Sequence, residues 1–165
     1  MFKVKFKSMK KPISVFISIL FILNIFASGV PVLAATPEAI AIAAWDYTAV
    51  PASNDVPATS GEFSTGAVLT SFAEKTPMYA SGGLSTSVWD SGENSKFWQI
   101  SLSTLGYDNL TLSAKTRSSG TGPRDFKVIY STDEGTVWND VPNSSYAITT
   151  TTLKNNMSTI TLPAA

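Results

Sequence analysis

The 165 residues include no cysteine and no histidine. Without cysteine there is no disulfide framework, no lipidated-cysteine anchor and no thiolate metal site. Without histidine, Ser/His/Asp hydrolysis, His-based metallohydrolysis and imidazole acid–base steps are all closed. Charge is sparse, at 15% of residues. Beyond residue 35 no basic stripe of the kind that grips a phosphate backbone is present, which disfavours nucleic acid as a partner of that part. Long hydrophobic runs are missing too: residues 13–27 are interrupted by Ser14, Ser18 and Asn24 and fall short of the roughly 20 apolar residues that cross a bilayer.

What that short run does have is a basic preface of Lys3, Lys5, Lys7, Lys10 and Lys11. Pro31 then breaks any helix, and Val32-Leu33-Ala34 supplies small residues at the two positions a signal peptidase reads. Residues 1–34 are therefore expected to be a signal peptide cleaved after Ala34, with the bond after Ala35 as the alternative. An uncleaved anchor is the competing reading. The expected location is secreted and extracellular, with no stable membrane anchor after cleavage. Five of the twelve basic residues and none of the twelve acidic ones precede Ala35, so the remainder carries seven basic against twelve acidic residues, a net charge of −5. A domain of about 130 residues without disulfides depends on its core, which at that length buries roughly two-thirds of the unfolded chain's surface.

Residues 96–141 carry the clearest pattern. Trp98, Ile100 and Leu102, then Leu110, Leu112 and Ala114, then Phe126, Val128 and Tyr130 alternate with mostly polar neighbours. A period of two means strands with one face on a core and one in water. Residues 39–47 are a further candidate strand, with Ile40, Ile42 and Ala44 on one face and Trp45 and Tyr47 on the other; an apolar helical turn competes, because alanine favours helix. Residues 50–61, with Pro51 and Pro57, read as a loop, and Phe63, Val68, Leu69 and Phe72 as short strand pieces around Gly66. Residues 77–93 read as irregular. Residues 116–123 form a Gly/Ser loop, 131–135 a hairpin turn, and 146–152 and 157–162 two last strands. With no convincing amphipathic helix, the expected fold class is all-β, a two-layer antiparallel β-sandwich.

The segment FKVIYSTDEGTVWNDV, residues 126–141, resembles the F-x-V-x-Y-S-x-D-G-x-x-W-x-x-V hairpin of galactose-binding-like jelly rolls, including discoidin-type domains. The succession AAWDYTA, FWQISLSTLGYDNLTLSAK, SSGTGPRDFKVIYS and VPNSSYAIT is similar to a jelly-roll module near the N-terminus of secreted proteins of Gram-positive bacteria. There it commonly precedes lamin-tail-like, endonuclease/exonuclease/phosphatase or metallophosphoesterase domains. The likeness runs from about Ile42 to Pro163 and is more specific for a fold than for a ligand. It implies a galactose-binding-like jelly roll over residues 35–165 whose terminal strands are missing. It also implies an inward-packed Trp138 and downstream domains of the same polypeptide. Two departures stand out: Glu134 adds a residue to the hairpin turn, and the relatives continue past LPAA with further strands. A first strand at 39–47 is then expected to lack a neighbour, leaving an open edge.

For function the expectation is a non-catalytic binding or accessory module, with an extracellular or cell-wall glycan as the partner. The alternatives are the accessory domain of an extracellular nuclease or phosphoesterase, and a ligand-free spacer. Candidate ligand-binding residues are Trp89, Arg117, Arg124 and Asp125. A guanidinium fork grips carboxylate, phosphate or sugar hydroxyls, although Arg124 can equally hold its own loop. Trp89 sits in loop context, where a ring either anchors the core or stacks on a sugar; Tyr79 and Tyr107 are weaker candidates, and Trp98 belongs to the core. A row of solvent-facing aromatics is not legible. Paired catalytic carboxylates remain conceivable among Asp125, Asp133, Glu134 and Asp140, and turn positions of this kind are ordinarily solvated or bonded to local backbone. No cofactor is expected. A structural calcium is left open, with Asp46, Asp55, Asp90 and Glu93 as oxygen donors whose spacing fits no known ligand loop.

Overall fold

A computed structural model describes residues 2–10, 15–23, 39–80 and 82–163, and every regular element among them is a strand. In chain order these are β1 (Phe2–Lys10), β2 (Val15–Leu23), β3 (Ala44–Trp45), β4 (Asp55–Pro57), β5 (Val68–Ser71), β6 (Met78–Ala80), β7 (Gly83–Thr86), β8 (Phe97–Leu102), β9 (Leu110–Ser118), β10 (Asp125–Ser131), β11 (Asn139–Asp140), β12 (Tyr146–Ala147) and β13 (Ile160–Thr161). One sheet runs β11-β10-β1-β8-β5-β4, with β12 also on β10; the other runs β13-β9-β2-β7-β6, with β3 also on β2. All pairings are antiparallel. No described helix is long and apolar enough to cross a membrane.

The three alternating runs become β8, β9 and β10, and each turns its apolar set inward. Trp98, Ile100, Leu112, Phe126 and Val128 are all fully buried and share one core with Leu84, Ile148 and Leu162. Tyr130, half-buried, stacks on Phe2 with ring centroids 6.1 Å apart. Residues 39–47 depart from the expected alternation. Only Ala44 and Trp45 form a strand, and residues 42–45 are buried without a break while Ile40 is 38% exposed. The cause is a close crossing: Ala44 N–H donates to Ser60 O and Phe63 N–H to Ile42 O, both at 2.8 Å. Gly61, at φ +115°, leaves room for this, since a Cβ there would stand 2.4 Å from Ile42 O. This segment is not left at an open edge, because Ala44 and Trp45 pair with Leu20 and Ile19 of β2.

Two stretches expected to be irregular hold strands. Asp55–Pro57 pairs with β5, and Pro57 is tolerated because β4 is the last strand of its sheet. Within 77–93, β6 and β7 form a hairpin in which all four residues of β7 are buried. The residues expected to form the leader supply β1 and β2. β1 lies between β8 and β10, and β2 between β7 and β9. Ala34 and Ala35 lie outside the described residues.

The hairpin after β10 shows how local polar chemistry sets a turn. Ser131 Oγ donates to Asp133 Oδ1 at 2.6 Å and accepts from Gly135 N–H, while Val137 N–H donates to both Asp133 oxygens. Glu134, the additional residue, takes φ +62° ahead of Gly135 at +91°, and β11 then pairs with Ile129 and Tyr130. These bonds, led by the one from Ser131, hold the Asp133 carboxyl below its usual pKa. A depressed folded pKa contributes stability that is present above the unfolded value of about 3.9 and is lost as pH falls through the folded one. The melting-temperature gap between wild type and Asp133→Asn is therefore expected to be constant from pH 5 to 7 and to close below about pH 4. A gap that widens in acid would refute this assignment.

Candidate functional site

Trp89 is 2% exposed, its Nε1–H donates to Thr86 O at 3.2 Å, and its ring meets Phe126 edge-on at 6.2 Å. A ring so enclosed anchors its loop to the core and offers no face to a sugar. The same loop is clamped by Lys96, whose Nζ donates to Glu74 Oε1 at 2.6 Å and to the carbonyls of Val88 and Asp90, each at 2.8 Å. Val88 is held at φ +63°, a region that β-branched residues enter only when their surroundings impose it. Glycine is required at position 92, where a Cβ would lie 2.7 Å from Trp89 O.

Arg124 also turns inward on its own chain. Its Nη1 donates to Ile148 O at 2.9 Å and Nη2 to Ser119 O at 3.3 Å, and its carbonyl accepts from Ile148 N–H at 2.7 Å. It ties the 119–124 loop to the segment after β12. Arg124→Ala is expected to cost about 2 kcal/mol, the range for hydrogen bonds from a charged group, read as a lowered melting temperature. An unchanged midpoint with weakened ligand binding would reverse the assignment. Arg117 alternates onto the outward face of β9, half-buried, and Asp125 is exposed at the start of β10. The remaining carboxylates serve local structure: Asp140 accepts from Lys127 Nζ at 2.6 Å, and Asp133 holds its turn.

Of the calcium candidates, Asp55 accepts from Thr70 Oγ1 at 2.6 Å, Asp46 lies beyond β3, and Asp90 and Glu93 are exposed in the clamped loop. Among the described residues no three of His, Cys, Asp or Glu converge in a metal-binding group. Where oxygens of the 88–96 loop do converge, the cation they meet is the Lys96 ammonium.

Two features escaped the sequence. On the outward face of the first sheet, Phe72 stacks on Phe97 at 4.5 Å, and Lys5 Nζ lies 4.3 Å from the Phe97 centroid and 3.7 Å from that of Trp138. Trp138 is therefore half-buried on this face, with its Nε1–H on Gly135 O at 2.8 Å, instead of packed inward. Lys5 fills the space between the two rings. Outward positions of β8 and the end of β5 are the signal: Phe97 precedes the inward run by one residue, and Phe72 follows the strand.

The second feature is a cleft of about 560 Å³ on the second sheet, within the range of small-molecule sites. It exists because the last segment does not follow β9 evenly. Thr116 and Lys154 exchange backbone hydrogen bonds of 2.8 and 3.2 Å, and Ile160 pairs with Leu112, so six steps of one chain face four of the other. Residues 155–159 bow outward, held at their base by Asn156 Nδ2, which donates to Thr116 O at 2.6 Å. The opposite wall is β3 and Asp46, whose N–H donates to Thr59 Oγ1 at 2.9 Å. Ser113, Lys115, Asn155, Ser158 and Thr159 supply further polar lining, and the buried Trp45 and Met157 back it from the core side. Lys115 and Asp46 are both exposed. Donors, acceptors and one charge of each sign thus face one cavity.

No protein-family model, curated protein or solved structure matches this chain.

Proposed function

We propose that this chain is the precursor of a secreted, non-catalytic binding module with galactose-binding-like jelly-roll topology, exported by the leader at residues 1–34 and holding a neutral glycan in the cleft beside Lys115 while a strand occupies the β2 position between its walls. One observation carries this reading: a cavity of about 560 Å³ whose lining mixes hydroxyl, amide, ammonium and carboxylate groups. Sugar hydroxyls are donors and acceptors at once, and such a lining answers both. A phosphate or carboxylate ligand fits less well, because Asp46 opposes a second negative charge. Absence of histidine and the engagement of Asp133 and Asp140 in local bonds support binding without chemistry.

The test is depletion of the purified protein from solution by insoluble cell-wall and plant glycans, with released reducing ends followed in parallel. Saturable depletion that Lys115→Ala weakens at least tenfold, about 1.4 kcal/mol, with no reducing ends released, is the expected result. Equal depletion of wild type and variant places the ligand elsewhere; release of sugar shows an enzyme.

A further inference from the structure

The position of β1 is where sequence and fold make opposing demands. Six register pairs join it to β8 and seven to β10, so it is the strand between them. Phe2, Val4 and Phe6 are at most 2% exposed and belong to the shared core. Yet these same residues read as part of a leader that export removes. Its departure leaves β8 and β10 with facing unpaired edges and a trough in the core, a state that sheets do not tolerate uncovered. β2 stands in the same position by backbone pairing. Its Ile19 is opposite both Trp45 and Ala114, and its Leu20 opposite both Ala44 and Ser113, so it sets the separation of the two walls of the glycan cleft.

We propose that the exported domain is a strand acceptor: the gap between β8 and β10 takes up an extended polypeptide segment, from outside residues 35–165, in which apolar and basic residues alternate. The inference rests on the leader reading given above. The strand now in the gap displays the chemistry required. On the core side Phe2, Val4 and Phe6 are apolar. On the outer side Lys3 Nζ donates to Glu134 O at 2.7 Å, and Lys5 Nζ sits between the rings of Phe97 and Trp138. One ring comes from each flank of the gap, so an ammonium or guanidinium at that position is bound from both sides. A body with seven basic and twelve acidic residues favours a basic incoming strand over an acidic one. Main-chain bonds to both flanks supply the affinity, and alternation sets the register.

The experiment uses the full chain with a protease site placed within residues 24–38, nicked after purification. A labelled peptide of residues 2–23, which supplies both β1 and β2, is added in excess beside the same peptide with its β1 part reordered to FFVKKKSMK, which has the same composition without the alternation. The expected result is that the leader fragment stays with the body after the nick and is displaced one-for-one by the first peptide, with at least tenfold preference over the second. A body that sheds the fragment, melts at the midpoint of the intact protein and takes up neither peptide overturns the proposal. The N-terminus of the exported protein is sequenced in parallel. A start at Ala35 or Thr36 is expected; retention of residues 2–10 overturns the proposal by keeping the gap permanently filled, and locates the failure in the leader reading if the nicked protein still exchanges strands.

Discussion

Trp89→Ala is expected to destabilise the protein by about 4 kcal/mol, the usual cost of removing a buried tryptophan. At this chain length that lowers the melting temperature by about 10 °C. The ring is 2% exposed, packs against Phe126 and has its N–H satisfied by Thr86 O. Truncation thus opens a cavity in the core and frees the 88–96 loop together. Trp89→Phe should recover more than half of the loss. Glycan binding at the cleft, whose lining does not include Trp89, should keep its affinity when measured well below the lowered midpoint. A variant that melts like wild type but no longer binds sugar would mean that the ring is a stacking platform after all.

Lys96→Met ranks second. Methionine keeps much of the aliphatic packing, so the loss is confined to the ammonium, which leaves the carbonyls of Val88 and Asp90 without their donor. A hydrogen bond from a charged donor to part-exposed carbonyls such as these is worth about 1.5 kcal/mol each, and the Glu74 partner adds little because its side chain is 61% exposed. A total near 3 kcal/mol is expected, with the loop relaxing from its left-handed Val88. Limited proteolysis provides the second readout, with cleavage within 87–95 in the variant at a protease level that leaves wild type intact. Unchanged stability and protection would show that the three contacts are incidental.

How much of this was written in the chain differs from segment to segment. β8, β9 and β10 were legible because each sets a polar face against an apolar one, and that contrast survives in sequence as period two. β7 was not: Gly83, Leu84, Ser85 and Thr86 are buried on both faces, so no alternation marks them, and a small polar residue such as Thr86 is buried only because its hydroxyl finds Lys75 O at 2.7 Å. The 42–45 run misled for a related reason, being covered on both sides by the crossing at Gly61. The N-terminus is ambiguous in a more basic way. Lys3, Val4, Lys5 and Phe6 are at once a basic preface to an apolar run and an amphipathic strand, and no local feature separates the two.

The candidate site was less legible than the fold. Trp89 and Arg124 were noticed from loop context, but loop position does not determine exposure, and both prove to serve the fold. The cleft depends on register: five residues opposite three between the Thr116–Lys154 bridge and the Leu112–Ile160 pair. Nothing near Lys115 or Asp46 in sequence announces that they share a cavity. Such sites arise from long-range pairing and become visible only when the strands are assembled.

The claim on which the rest depends is that the cleft holds a glycan. Its most direct measurement is a thermal melt of the full chain against a panel of soluble oligosaccharides, run beside Lys115→Ala. A native-state ligand at 100 times its Kd stabilises by about 2.7 kcal/mol, a shift of several degrees. The account predicts that at least one sugar raises the wild-type midpoint by that much and the variant's by no more than about half of it, the share that a tenfold weaker Kd leaves. A panel that shifts neither protein, or shifts both equally, would contradict it.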